Sequence, residues 1–150
     1  VTRRLGLTDV ELPELGLGCA PLGDLFELLD EDVADATVRA AWESGIRFFD
    51  TAPQYGAGLS EHRLGRALRA VPATDVVLST KVGRVLTAST ETRPAGRGPF
   101  VGGLPFAQTF DYSHDGVLRS LEDSLQRLGR ARVDLVAIHD LDVGHHPDPA

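Results

Sequence analysis

Cysteine occurs once in these 150 residues, at Cys19. A single cysteine excludes an internal disulfide and any zinc cluster built on several thiolates, and a reducing compartment is the simpler setting, so the expected location is the cytoplasm. No apolar run approaches the ~18 residues of a membrane-spanning helix, and no apolar segment follows Arg3 and Arg4 as it does in an export signal. Neither a membrane span nor an export signal is expected. Basic residues are outnumbered: 15 Lys and Arg face 22 Asp and Glu, for a net charge of −7 and a pI near 5.1. With the cations scattered, this balance argues against a nucleic-acid or anionic-membrane partner. The dinucleotide-binding fingerprint is missing too. Gly16, Gly18 and Gly23 follow a short apolar stretch, but Pro21 intervenes and no helix is expected before about Asp30, whereas GxGxxG must open a helix directly.

What remains is an ordinary globular composition, 42% hydrophobic and 25% charged, sufficient for one core and read as one domain over residues 1–150. Residues 1–12 carry two short β-like pieces about a Thr8-Asp9 turn, a hairpin expected to plug one end of the fold. A first strand follows through Leu15 and Leu17, its glycines allowing close backbone approach. Helix one is expected from a cap at Asp30 to Ser44, with Gly45 as its stop. Strand two spans 46–50, and Ser60-Glu61 reads as the N-cap signal of a second helix running to about Ala70, before Pro72. Strand three spans 76–80. Residues 83–115 are rich in Gly, Pro and Thr without a sustained period, far longer than an ordinary strand-to-helix connection, and read as a functional or disordered loop. Ser113 or Asp115 caps helix three, whose apolar stripe ends at Gly129, and strand four spans 133–138.

Near-continuous apolar strands alternating with helices predict a parallel sheet buried on both faces. A (β/α)8 TIM barrel needs eight such units and about 250 residues. The expected fold is therefore α/β, the N-terminal half of a (β/α)8 barrel: a hairpin, strands one to four and helices one to three. An open four-stranded sheet is the alternative, but it leaves an inner face and an edge uncovered.

Four reactive side chains fall at or just beyond strand ends: Asp50, Tyr55 five residues on, Lys81 and His139. That is the face where barrel enzymes keep their chemistry. A phenol with an ordinary pKa near ~10 is a poor acid at neutral pH. An ammonium beside it favours the phenolate, a carboxylate holds the ammonium, and an imidazole can hydrogen-bond a carbonyl oxygen. The set suits proton transfer at an oxygen whose carbon exchanges a hydride with a nicotinamide ring. Blander readings stand beside it: Asp50 as a cap, Tyr55 and Trp42 as packing, Cys19 as a small buried hydrophobe, and the arginines from Arg84 onward as a solvated loop rather than an anion site. A zinc site from His139, His145, His146 and Asp148 is weighed and set aside, since a polar tail past a strand reads as a solvated loop.

The segments LGLGCAPLG (15–23), GIRFFDTAPQYGAGLSEHRLGRAL (45–68), STKVG (79–83) and LEDSLQRLGRARVDLVAIHD (121–140) resemble the aldo-keto reductases, across nearly the whole chain. The wording FFDTAPQYG, the FDYS before helix three and the HD after strand four resemble the aldose 1-dehydrogenase and pyridoxal dehydrogenase branch. The resemblance implies an NADP- or NAD-dependent barrel enzyme acting on a small carbonyl compound or aldose. In it Tyr55 is the acid/base, Lys81 and Asp50 tune it and His139 positions the carbonyl. Gly18, Cys19, Ala20 and Asp50 would flank the nicotinamide. A non-catalytic nicotinamide-binding relative is the alternative, and a metal-dependent barrel hydrolase using Asp50 and the histidines is a further one. The lengthened segment 84–114 departs from the family pattern and puts substrate preference in doubt. The strands that carry the family's carboxamide and phosphate contacts have no counterpart in this sequence.

Overall fold

A computed structural model describes residues 2–92 and 96–142. The chain opens with the expected hairpin, β1 (Thr2–Arg4) paired antiparallel to β2 (Glu11–Pro13). Its turn shares a groove with Val76, Val77 and Asp134, which places it at the amino ends of the strands that follow, opposite the candidate site.

Four strands, β3 (Gly16–Gly18), β4 (Phe48–Asp50), β5 (Val77–Val82) and β8 (Leu135–Ile138), form one parallel sheet in that order. Between them run α1 (Glu31–Glu43), α2 (Leu59–Ala67) and α3 (His114–Leu128). The capping chemistry sets two of the helix starts. Asp30 accepts from the Asp32 amide at 2.8 Å and Ser113 from the Gly116 amide at 3.1 Å, each satisfying a donor that the first turn leaves orphaned. Gly129, at φ 62°, stops α3 in the left-handed conformation that glycine tolerates.

The second helix departs from expectation. Its N-cap is Gly58, not Ser60, and it ends at Ala67. Ser60 lies inside the first turn, fully buried, and donates to the Cys19 carbonyl at 2.7 Å. Tertiary partners have recruited a residue that reads locally as a cap.

The three helices cover one face of the sheet. Leu17, Phe49 and Leu78, register neighbours on that face, meet Val38, Leu64, Leu68 and Leu128 in the core. Trp42 packs at its margin under the Arg47 guanidinium, 3.6 Å from the ring centroid. Helices α2 and α3 approach so closely that a Cβ on Gly65 would lie 2.4 Å from the Leu128 carbonyl oxygen. Gly65→Ala is therefore expected to cost about 1–3 kcal/mol through overpacking, despite alanine's better helix propensity, read as a lowered denaturant midpoint.

The segment expected to be a functional or disordered loop contains a second hairpin. β6 (Arg84–Ala88) follows β5 after Gly83 alone and pairs antiparallel with β7 (Phe106–Phe110), from Arg84 opposite Phe110 to Ala88 opposite Phe106. Residues 89–105 separate the two strands, so no short turn signal marks the pair. Among the described residues, no helix is long and apolar enough to cross a membrane.

Candidate active site

Side-chain alternation decides which residues face away from the helices. Gly18, Asp50 and Ser79 are register partners, and Lys81 pairs with Ala137. Paired residues share a face, and these lie on the opposite face from Leu17, Phe49 and Leu78. His139, two residues beyond Ala137, continues the alternation, and its amide donates to the Val82 carbonyl at 3.0 Å.

Tyr55 is delivered by the loop between β4 and α2. Gly56, Ala57 and Gly58 all have positive φ (64°, 52° and 94°), a left-handed run that reverses the chain after Tyr55. Two other segments grip this loop. A Cβ on Gly23 would lie 2.4 Å from the Tyr55 carbonyl carbon, and one on Gly103 would lie 2.5 Å from the Gly56 oxygen. The Leu104 amide also donates to that oxygen at 2.9 Å. The loop is thus held between the β3–α1 connection and the hairpin segment by backbone contacts that only glycines permit.

The four candidate side chains converge. Lys81 Nζ donates to Asp50 Oδ2 at 2.7 Å and to the Thr51 carbonyl at 2.8 Å, and stands 4.9 Å from the Tyr55 ring centroid. The His139 imidazole meets the Tyr55 ring edge-on at 5.9 Å between centroids, and Phe100 supports that ring at 5.7 Å. Lys81 reaches Tyr55 over the ring, while its hydrogen bonds go to the neighbouring acid and backbone. Burial pushes the His139 pKa down to about 4; Asp140 and Asp50 oppose the shift, and Arg84 and Lys81 reinforce it. The imidazole is therefore neutral above that value. Because an unfolded histidine protonates near 6.5, the stability from burying it neutral is complete above about 6.5 and is lost as pH falls toward about 4.

Of the expected nicotinamide neighbours, Gly18 meets the requirement best. It is exposed, directly beside Asp50, and nothing lies within 4 Å of where a Cβ would stand, which leaves room for a flat ring. Ala20 is half-buried. Cys19 is different: it is fully buried in the core, its amide donates to the Asp50 carbonyl and its carbonyl accepts from Ser60. Burial raises its thiol pKa to about 12. Its side chain packs into the core, and its backbone braces the site between Asp50 and Ser60.

Sequence reasoning missed two charged groups. Glu61, expected to mark a helix start, is fully buried and accepts from Arg127 Nε at 2.6 Å and Thr80 Oγ1 at 2.7 Å. Arg84, read as part of a solvated loop, is buried and paired with Asp140. Neither carries a periodic or spacing signal, since the charged partner of each lies more than fifty residues away in the chain. Among the described residues, no group of three His, Cys, Asp or Glu side chains is arranged to hold a metal ion. His145, His146 and Asp148 lie outside the described residues.

Known proteins share both sequence and fold with this chain. It is 46% identical to a pyridoxal 4-dehydrogenase of Microbacterium luteolum over 97% of its own length and 45% of that protein. It is 43% identical to a D-threo-aldose 1-dehydrogenase of a Pseudomonas species over 86% and 40% of the two. The chain thus spans less than half the length of these relatives. A solved aldo-keto reductase of Bacillus halodurans superposes with a TM-score of 0.69 at 31% identity, over 91% of this chain and 39% of that one. That fold is a (β/α)8 barrel, of which the four parallel strands and three helices make the N-terminal half. The pattern of the aldo/keto reductase family matches residues 14–149, and with sequence and fold in agreement, the chain belongs to that family.

Proposed function

We propose that the protein is an NAD- or NADP-dependent oxidoreductase that interconverts a carbonyl or lactone with an alcohol or hemiacetal, acting on an aldose sugar or small aldehyde. The observation that carries the reading is the contact set around Tyr55. An ammonium bonded at 2.7 Å to a carboxylate stands against one side of the phenol ring, and a buried imidazole against its edge. The names of the relatives, pyridoxal 4-dehydrogenase and D-threo-aldose 1-dehydrogenase, supply the substrate class.

A bound nicotinamide would supply or accept the hydride, and the open face of Gly18 beside Asp50 fits its ring. The proton is the work of the chain's own residues. In the oxidative direction the Tyr55 oxygen takes a proton from the substrate hydroxyl; in reduction it returns one to the carbonyl oxygen. Asp50 and the Thr51 carbonyl occupy two of the three N–H donors of Lys81, leaving one for the phenol oxygen. The cation favours the phenolate that proton donation leaves behind, and Asp50 keeps that cation in place. His139, neutral at working pH, presents a single N–H to the substrate oxygen and adds no second charge beside Lys81.

The test uses the full-length protein with NAD or NADP and a panel of aldoses and pyridoxal, following nicotinamide absorbance, beside a fluorescence titration of each cofactor. Cofactor binding with turnover is the expected result. Cofactor binding with no turnover on any carbonyl or aldose would identify a binding relative. Hydrolysis that requires an added metal and no cofactor would sink the oxidoreductase reading.

A further inference from the structure

The hairpin β6–β7 returns to the candidate site at its base, where Arg84 and Tyr112 both reach the His139-Asp140 pair. Arg84 pairs through Nη2 with Asp140 Oδ2, and its guanidinium lies 4.1 Å from the centroid of the Phe110 ring. Phe110 stacks on Tyr112 at 5.7 Å, and the Tyr112 hydroxyl donates to the His139 carbonyl at 2.6 Å. Gly83 closes the base: its carbonyl accepts from the Asp111 amide, and a Cβ there would fall 2.2 Å from the Tyr112 ring. Asp140 itself has φ 54°, a left-handed conformation unfavourable for a non-glycine residue that surrounding contacts must maintain.

We infer that the Arg84–Asp140 ion pair and the Tyr112 hydroxyl form a positioning clamp. By holding the peptide after His139 in this reversed conformation, it fixes the imidazole edge-on to Tyr55. The His139 amide is held by Val82, its carbonyl by Tyr112 and its successor by Arg84, so the backbone cannot turn without breaking one of the three. The side chain is held more loosely: Nε2 stands 3.8 Å from Asp140 Oδ2, the oxygen that Arg84 pairs with, and Nδ1 is buried with no hydrogen-bond partner among the described residues, so the ring's orientation depends on the held peptide, that carboxylate and packing. An arginine in the β6–β7 hairpin and an acid beyond β8 thereby act on the reaction through the histidine. The inference rests on the reading of His139 as the residue that faces the substrate oxygen.

The charged groups that act on this imidazole are Asp140, Arg84, Lys81 and Asp50, and they make the clamp testable by direct titration. In full-length protein labelled at histidine, NMR follows the His139 ring through pH, with His139→Asn assigning the signal. Asp140→Asn removes a carboxylate that favours the imidazolium, so the midpoint is expected to fall below that of the parent. Arg84→Met removes an opposing cation and leaves Asp140 charged beside the ring, so the midpoint is expected to rise toward the ordinary ~6.5. Both variants are expected to lower kcat by up to ~100-fold with cofactor affinity unchanged, and Arg84→Lys to restore part of that loss. Midpoints that stay put, or that move in the same direction in both variants as general loosening would make them, overturn the clamp. Should Arg84→Met fail to fold, Asp140→Asn decides alone, and an unmoved or raised midpoint refutes the proposal. A parent protein without turnover would refute the functional reading; the titration still judges the clamp.

Discussion

Glu61→Leu is expected to destabilise the fold by ~3–5 kcal/mol, because it strands a charge in the interior. Glu61 has no exposed side-chain surface and Arg127 only 12%. Water cannot replace what the substitution removes. The carboxylate satisfies two elements at once, with Oε2 taking the Arg127 guanidinium of α3 and Oε1 the Thr80 hydroxyl of β5. Burying a pair is costly in itself, so its net contribution is small, whereas leaving one partner unpaired exposes the full desolvation penalty of the other. This asymmetry gives the prediction its second arm. Glu61→Leu combined with Arg127→Met should recover most of the loss, leaving mainly the unpaired Thr80 hydroxyl. Denaturant melts of the parent, both single variants and the double variant form the cycle that checks it. A Glu61→Leu variant within about 1 kcal/mol (roughly a fivefold change in the folding constant) of the parent would contradict this account of the site's foundation.

The same first turn of α2 explains why the face with the candidate site holds its shape. Ser60 bonds the Cys19 carbonyl after β3 and lies 2.9 Å from the Thr51 hydroxyl after β4, while Glu61 reaches Thr80 in β5. Two adjacent residues thus tie together three consecutive strand ends. Locally they read as nothing more than a helix start, since Ser followed by Glu is a common opening turn. Parallel strands, helix stops and strand-end acids were legible because each is encoded within a few residues: an apolar run, a glycine after a periodic stripe, a polar residue where the run ends. The convergence of Asp50, Tyr55, Lys81 and His139 could be read because a parallel sheet places every strand's carboxyl end on one face.

The β6–β7 hairpin was illegible for the converse reason. Its strands RVLTA and FAQTF are short, and their pairing spans residues 89–105 without a tight turn, so register comes from long-range partners. Arg97 shows how that span is ordered. Buried, it donates to the Gly102 and Leu104 carbonyls and gathers the glycine-rich stretch into a fixed lobe. Phe100 and Gly103 of this lobe then press on the Tyr55 ring and loop. An arginine surrounded by Gly and Pro gives no sequence signal for such a role.

Tyr55→Phe is expected to lower kcat by at least ~10²-fold while cofactor affinity stays within about twofold, the largest functional effect of a single oxygen atom in this chain. The ring would keep its neighbours: Phe100 at 5.7 Å, His139 at 5.9 Å and the Lys81 ammonium at 4.9 Å all contact the aromatic face or edge rather than a hydroxyl hydrogen bond. Stability should therefore change little, and a loss of activity can be assigned to proton transfer rather than to collapse of the site. Lys81→Met provides the contrast. It leaves the phenol in place but removes the cation bonded to Asp50, so kcat should fall while the residual rate still runs through the phenol. In Tyr55→Phe the residual rate should instead lose its dependence on a phenol altogether. Steady-state kinetics through pH, with a fluorescence titration of the cofactor and a thermal melt of each variant, separate these outcomes. Near-parental turnover in Tyr55→Phe would move the acid/base role to another group. His139 is poorly suited to take it, because burial holds its pKa at about 4 and leaves little imidazolium to donate at neutral pH.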